Sequence, residues 1–167
     1  FADLGWIMGP WEIMGATALG ATVFLFDGAP NHPGPDRLWS MVERHAITHL
    51  GVSPTLVRAL IPSGEEPVRS HDLSSLRILA STGEPWNPDP YRWFFEEVGK
   101  AELPIINLSG GTEVGACFLS PHPISPLEPC TLRGPALGMD VAVFRPDGTE
   151  AGPGEVGELV CRTPWPS

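Results

Sequence analysis

Basic residues are scarce in this sequence of 167 residues, in which 10 Lys and Arg stand against 20 Asp and Glu and give a net charge of −10. Nucleic acids and anionic membranes are bound through basic patches, so the charge balance disfavours both as partners. It does not disfavour a phosphorylated small molecule, because backbone N–H groups and Mg²⁺ can hold phosphates without basic side chains.

Cysteine is scarce too, and it is not arranged for cross-linking. Cys117, Cys130 and Cys161 are odd in number, widely spaced and without a C-x-x-C pair, which argues against a disulfide framework. Of the five histidines, His45 and His49 are four residues apart, but they straddle a predicted helix-to-strand junction and have no Cys partner at ligand spacing, so no metal site is expected. We therefore expect free thiols in a cytoplasmic protein.

Long apolar runs are missing as well. No run approaches the ~18 residues of a membrane span, and no basic segment precedes an apolar stretch as in a signal peptide. The sequence starts at Phe1 without methionine. We expect the chain to be an internal part of a longer protein.

Apolar runs rich in β-branched and aromatic residues alternate with helical patterns over the first two thirds of the sequence. Strands are predicted at 21–26, 48–52, 77–81 and 104–108. Helices are predicted from near Pro10 (a buried one), from the cap Asp36 to 45, from the cap Ser53 to 60, and at 87–98. Such alternation is typical of a parallel sheet, so the predicted fold class is α/β, with a mostly parallel sheet flanked by helices.

The pattern changes after about residue 120, where four prolines fall within ten residues and exclude a helix. Beyond them, alternating residues at 139–144, an Asp-Gly turn and a second short strand pattern at 157–162 predict two antiparallel strands. We predict two units, an α/β subdomain at 1–125 and an incomplete β-rich subdomain at 126–167.

Two predicted strands end in glycine-containing polar turns. The strand at 77–81 runs into T-G-E-P at 82–85, and the strand at 104–108 runs into S-G-G-T-E at 109–113. Each turn alone is compatible with an ordinary β-turn. Together they suit one ligand, because ligands of open α/β sheets bind beyond the carboxyl ends of the strands. Glycine, hydroxyl and carboxylate groups are the parts that phosphate and Mg²⁺ binding requires.

These phrases, with D-L-G-W-I-M-G at 3–9 and H-D-L-S-S-L-R-I-L at 71–79, resemble the adenylate-forming (AMP-dependent) acyl-CoA synthetases, and within them the acetyl-CoA synthetase branch. The resemblance implies part of the large N-terminal domain of an acid–CoA ligase. Such an enzyme activates a short- to medium-chain carboxylic acid with ATP to an acyl-adenylate and transfers the acyl group to CoA, with Mg²⁺ as cofactor.

The resemblance also implies roles for individual residues. Thr112 would donate to the α-phosphate and Glu113 would bind Mg²⁺, and these two are the catalytic residues. The nucleotide would be bound by Thr112 together with Gly83, Glu84, Pro85, Asn107 and Ser109. The acyl pocket would be lined by Ile7, Met8, Thr82 and Gly110.

Two positions depart from the family pattern. Ser109 stands where the family usually has an aromatic residue stacked on adenine, and Gly110 stands where acetate-specific members carry Trp. Gly110 would leave a void, which predicts a preference for an acid longer than acetate.

The family's phosphate loop, its ribose-binding T-G-D phrase and its lysine-bearing C-terminal domain have no counterpart in these residues. We therefore expect the chain to be inactive by itself. Two alternatives stay open, namely a related enzyme that loads a carrier protein and a nucleotide-binding module without catalysis.

Overall fold

The computed structural model describes residues 1–166. Its helices are α1 (Met8–Ala18), α2 (Arg37–His45), α3 (Pro54–Leu60), α4 (Glu66–Arg69) and α5 (Pro88–Trp93), with a 3₁₀ turn at Ile61–Ser63 and a π-helical turn at Phe94–Val98. Its strands are β1 (His49–Val52), β2 (Ile78–Ser81), β3 (Ile105–Asn107), β4 (Ser109–Gly111), β5 (Ala116–Leu119), β6 (Val141–Phe144) and β7 (Glu158–Cys161).

Strands β1, β2 and β3 form one parallel sheet in that spatial order. The predicted strands at 48–52, 77–81 and 104–108 are therefore confirmed, and so is the parallel arrangement with flanking helices. Leu79 lies opposite Ile105, and Ser81 lies opposite Asn107. This register brings the last residues of β2 and β3 side by side.

The core lies against one face of this sheet. Leu50, Val52, Leu79 and Ile105 are buried, whereas the alternate residues are half-buried or exposed, as the period of two in a strand requires. Helices α2, α3 and α5 and the π-helical turn supply the facing apolar side chains. Burying each large one contributes about 1.5–3 kcal/mol.

The first turns of α2 and α3 are stabilised in different ways. Ser53 caps α3 as predicted, since its hydroxyl accepts a hydrogen bond from the Leu56 N–H at 3.2 Å. Asp36 precedes α2, but the predicted cap is wrong because its side chain makes no capping bond. The Leu38 N–H donates instead to the Pro30 carbonyl at 3.1 Å. The Asp36 carboxylate is thus available to His71, whose Nε2 lies 3.2 Å from it.

The strand predicted at 21–26 is wrong. These residues join no ladder, and their aromatic rings pack against each other and against α2: Phe24 lies 6.1 Å from Phe26 and 4.6 Å from His45 between ring centroids. A β-prone run becomes a strand only where it finds a partner strand. Within the described residues, the sheet ends at β1.

Helix α1 forms where a helix was predicted, with Pro10 in its first turn, but the predicted burial is wrong. Only Gly9 is buried, while Trp11 is 53% exposed and Met14 is 71% exposed. The helix carries apolar residues around its whole circumference rather than on one face. Among the described residues, the rest of the chain buries α1 only near its first turn, at Gly9.

The last third of the chain is built from antiparallel strands. Strands β6 and β7 pair with Val141 opposite Cys161, which confirms the small β structure predicted there. No helix forms in the proline-rich stretch between β5 and β6. The division into units at 1–125 and 126–167 stays a prediction. No helix among residues 1–166 has the length and apolar character that crossing a membrane demands.

Candidate active site

The two polar turns leave the same edge of the parallel sheet. Ser81 and Asn107 are paired in register, and the Leu108 N–H donates to the Ser81 carbonyl at 3.0 Å, which continues the ladder by one bond. Thr82 and Ser109 therefore follow neighbouring strand ends. The two strand ends are adjacent as the predicted sheet requires, and the meeting of the two turns at one cleft stays a prediction.

In the turn after β2, the conformation and the glutamate have identifiable structural causes. Gly83 has φ +101°, a region that glycine enters without strain. The Glu84 carboxylate accepts a hydrogen bond from the Thr55 N–H at 2.8 Å, in the first turn of α3, and forms an ion pair with Arg58. The bond from Thr55 and the Arg58 guanidinium hold the pKa of Glu84 below its usual value.

This role of Glu84 was missed at the level of sequence. Its partners lie 29 and 26 residues earlier in the chain, and no local pattern connects them. In the same turn, Thr82 is half-buried and Pro85 is exposed.

Asn107 lies at the end of β3 and is only 7% exposed. Its Nδ2 donates to the carbonyl of Thr131, in the segment between β5 and β6, at 3.0 Å. The neighbouring Ser81 is 2% exposed, and its hydroxyl has no hydrogen-bond partner in the described part of the chain. The edge of the sheet thus holds two buried polar side chains, and sequence patterns pointed only to Asn107.

The S-G-G-T-E stretch is part of a β-hairpin rather than a simple turn. Strands β4 and β5 are antiparallel, and residues 112–115 connect them. The Gly115 N–H donates to the Gly111 carbonyl at 3.1 Å, which closes the tip. A register shift between Ser109 and Gly110 marks a bulge at the start of the hairpin.

The expected void at Gly110 is absent. A Cβ placed on Gly110 would overlap the carbonyl oxygen of Ala116 and lie 3.0 Å from the Cα of Cys117. The glycine therefore allows β4 and β5 to approach closely, and the space that a side chain would take is filled by backbone. The structure thus shows no void in the direction of a Gly110 side chain, and the place of Gly110 in an acyl pocket stays a prediction.

Thr112 and Glu113 lie exposed at the hairpin tip. The Thr112 Oγ1 accepts a hydrogen bond from the Ile7 N–H at 3.3 Å, so the residue before α1 touches the tip. Among the described residues, no group of three or more His, Cys, Asp or Glu side chains forms a metal cluster. One exposed carboxylate nevertheless fits Mg²⁺, which commonly takes one or two protein carboxylates and completes its shell with substrate phosphates and water.

A small cavity of about 20 Å³ lies between the start of α1 and the hairpin. It is lined by Ile7, Met8, Trp11, Leu108, Gly115, Ala116 and Cys117. Two of the predicted acyl-pocket residues, Ile7 and Met8, thus lie together, while Thr82 and Gly110 do not line this space. Its volume suffices for about one water molecule.

A larger cavity, of about 430 Å³, opens near the amino end of β3. It is lined by Tyr91, Phe95, Glu102, Leu103, Pro104, Ile105, Leu127 and Pro129. None of the residues predicted from the sequence to bind nucleotide or acid borders it.

Comparison with known proteins gives a consistent result. The family model described as "AMP-binding enzyme" matches residues 1–167. Acetyl-coenzyme A synthetase of Chlorobaculum tepidum is 46% identical over 168 residues, which cover 99% of this chain and 26% of that protein. The enzyme of the same name from Pasteurella multocida is 41% identical, with the same coverage.

A solved structure, acetoacetyl-CoA synthetase from Streptomyces lividans, superposes with a TM-score of 0.87 at 36% sequence identity. The match covers 99% of this chain and 26% of that one. The chain therefore spans about a quarter of the length of the relatives it matches.

Proposed function

The chain belongs to the AMP-binding enzyme family, and on that premise we propose that it forms part of an acid–CoA ligase. In the proposed reaction, a carboxylate oxygen attacks the α-phosphorus of ATP and pyrophosphate leaves. The thiol of CoA then attacks the acyl carbon, a thioester forms and AMP leaves. Such an enzyme belongs in the cytoplasm, where its three free cysteines stay reduced.

The observation that carries the proposal is the pairing of β2 with β3. It brings T-G-E-P and N-L-S-G-G-T-E to neighbouring strand ends, where ligands of open α/β sheets bind. Attack on phosphorus needs positioning and charge neutralisation rather than a protein nucleophile. The glycines, hydroxyl groups and carboxylates of these turns can supply that positioning and charge neutralisation.

We assign the catalytic roles to the hairpin tip. The Thr112 hydroxyl donates to the α-phosphate, and the Glu113 carboxylate is the protein ligand for Mg²⁺. When bound, Mg²⁺ neutralises phosphate charge. Both side chains are exposed at the tip, so neither must be released from a buried contact before it meets a substrate.

On the nucleotide side, we assign the base and ribose to Asn107, Ser109 and the turn at 83–85. Glu84 acts there through the position of its turn, because its carboxylate is already bound to Thr55 and Arg58. Asn107 donates to the Thr131 carbonyl through Nδ2, which fixes the orientation of its amide beside the strand ends.

For the acid, we propose a short chain rather than a medium one. Gly110 offers no void, and the cavity beside Ile7 and Met8 has a volume of about 20 Å³. The relatives described above are named for acetyl and acetoacetyl groups. We propose an acid of two to four carbons, by analogy with those names.

One observation favours a second candidate, a nucleotide-binding module without catalysis. Ser109 lies half-buried in β4 and offers no ring to stack on adenine, although stacking on an aromatic ring contributes about 1–3 kcal/mol per base in single-stranded nucleic acid complexes. Weak nucleotide binding is the expected consequence.

The test is acid-dependent exchange of labelled pyrophosphate into ATP, measured on the complete protein that carries this chain, with acetate, acetoacetate, propionate and hexanoate. Exchange without CoA, followed by thioester formation when CoA is added, supports the proposal. Exchange followed by transfer only to a carrier protein supports the related carrier-loading enzyme. AMP or ATP binding without exchange identifies a non-catalytic module and overturns the proposal.

A further inference from the structure

The residue before α1 presents a backbone N–H to the catalytic tip of the hairpin. The Ile7 nitrogen lies 3.3 Å from the Thr112 Oγ1, across 105 residues of chain. Among the hydrogen bonds that the structure shows, this is the one in which the Ile7 N–H takes part. The contact is therefore a direct link between two distant segments, made by one donor and one hydroxyl.

The donor is held firmly in place. The chain winds tightly from Asp3 to Gly9: the Trp6 N–H donates to the Asp3 carbonyl at 3.1 Å, and the Gly9 N–H donates to the Trp6 carbonyl at 3.0 Å. A Cβ on Gly9 would lie 2.6 Å from the Cα of Leu4, so this winding depends on glycine. The Ile7 N–H consequently has a fixed direction.

The acceptor is held from the other side. Bonds from the N–H groups of Val114 and Gly115 to the Gly111 carbonyl, at 3.2 and 3.1 Å, close the tip that carries Thr112. The close approach at Gly110 fixes the two strands below it. Ile7 and hairpin residues 115–117 line the same small apolar cavity, so the two segments lie against each other there.

A threonine hydroxyl has one proton to donate and two lone pairs that accept. When the Ile7 N–H occupies one lone pair, the hydroxyl proton must point away from Ile7. We infer that the Ile7 N–H is a positioning group, which orients the Thr112 hydroxyl so that its proton is directed toward the incoming phosphate. The inference rests on the role proposed above for Thr112 in adenylation.

Preorganised donors act on developing charge without reorganisation at the moment of reaction. Losing the orienting bond should therefore lower the rate of adenylation more than it changes the binding of the acid. The net effect of one neutral hydrogen bond corresponds to roughly a 3- to 10-fold change.

The experiment replaces the amide of Ile7 by an ester in the complete protein, using the 2-hydroxy analogue of isoleucine. This change removes the N–H and keeps the side chain. We expect kcat for acid-dependent pyrophosphate exchange to fall roughly 3- to 10-fold, with KM for the acid unchanged. A second version compares Ile7→Pro with Ile7→Ala, because φ at Ile7 is −53° and fits proline. Only the proline variant lacks the N–H.

The same ester is then made in a Thr112→Val background. The ester also makes the Trp6 carbonyl a weaker acceptor for the Gly9 N–H. This side effect is the same in the Thr112→Val background, which therefore controls for it. If the N–H acts through Thr112, the ester has no further effect on kcat there. An equal loss in both backgrounds, or no loss in wild type, overturns the inference alone. Wild type without any exchange overturns the proposed function and the inference with it.

Discussion

The turn after β2 and the hairpin after β3 carry one glutamate each, at the same edge of one sheet, but they are held in different ways. Glu84 is tied to α3 by the Thr55 N–H and the Arg58 guanidinium. Glu113 is exposed at a tip that is held by backbone bonds and by the Ile7 N–H. A similar short sequence, glycine and threonine next to glutamate, thus gives a structural carboxylate in one place and an available one in the other.

This difference indicates which of the two carboxylates, Glu84 or Glu113, is available to bind a metal ion. A glutamate that already accepts a backbone bond and an ion pair loses both if it turns to a metal ion. A glutamate without such ties offers its charge directly. This contrast assigns the proposed Mg²⁺ role to Glu113 and the role of joining turn and helix to Glu84.

Exchanging the hairpin carboxylate for its amide is expected to give the largest effect. Glu113→Gln removes the charge and keeps the shape, so adenylation should fall by about two orders of magnitude, as loss of a charge stabiliser in an active site commonly causes. The measurement is acid-dependent pyrophosphate exchange in the complete protein at saturating ATP. Glu84→Gln is the matched control. An equal loss of adenylation in the two variants would contradict the proposed difference between the two glutamates.

Adding one methyl group to the hairpin tests how it is held. Gly110→Ala places a Cβ against the Ala116 carbonyl, so the strands must separate and the hairpin should lose about 1–3 kcal/mol. Hydrogen exchange of 109–119 should accelerate, and adenylation should fall for acids of every length. Gly64→Ala serves as a comparison for a glycine with open space around it, although its φ of +77° adds some strain. A shift in acid preference without faster hydrogen exchange of 109–119 would instead indicate that Gly110 borders the acyl pocket.

The close approach at Gly110 shows what sequence can and cannot supply. The sequence reveals a missing side chain, but it does not reveal that the backbone of β5 fills the space. Strands β1 to β3 were predictable because apolar runs, helix caps and turn residues all agreed on them. The run at 21–26 failed because its β-propensity carries no information about a partner strand.

Long-range polar contacts were equally invisible. Glu84 meets Thr55 and Arg58, Asn107 meets Thr131, and Thr112 meets Ile7 only after the chain has folded. Local patterns correctly brought the ends of β2 and β3 to one edge, since both strands were recognised. How each side chain is tied at that edge depends on segments that are 24 to 105 residues away.

Removing the charge of the structural glutamate is expected to act locally and more weakly. Glu84→Gln can still accept from Thr55 but loses the attraction to Arg58, so the turn should be destabilised by roughly 0.5–1 kcal/mol, the range for a partly exposed ion pair. The pKa of Glu84 is lowered. Its contribution is therefore present above its ordinary pKa of 4.5 and is lost as pH falls through the lower value of the folded state. Faster hydrogen exchange in 54–60, with the hairpin unchanged, is the expected signature.

The smallest expected effect is the pH dependence of the contact between His71 and two carboxylates, those of Glu43 and Asp36. Its Nδ1 lies 2.6 Å from Glu43 and its Nε2 lies 3.2 Å from Asp36, so one ring joins the segment before β2 to both ends of α2. The hydrogen bond to Glu43 is the main cause that raises the pKa of His71, and burial opposes it. The same bond lowers the pKa of Glu43, whose carboxylate also accepts from the Asp72 N–H at 3.2 Å.

These directions fix the sign of the pH dependence. The stabilisation from His71 is complete below its ordinary pKa of 6.5 and is lost as pH rises through the higher folded value, while that from Glu43 is present above 4.5. Hydrogen exchange of residues 70–73, corrected for the intrinsic rate, should be roughly two- to fivefold slower at pH 6 than at pH 8.5, the scale of a partly exposed ion pair. His71→Gln should show no such difference, and the hairpin at 109–119 should show none in either protein, because backbone bonds hold it. Equal pH dependence in the hairpin would mean that the two regions are not held differently after all.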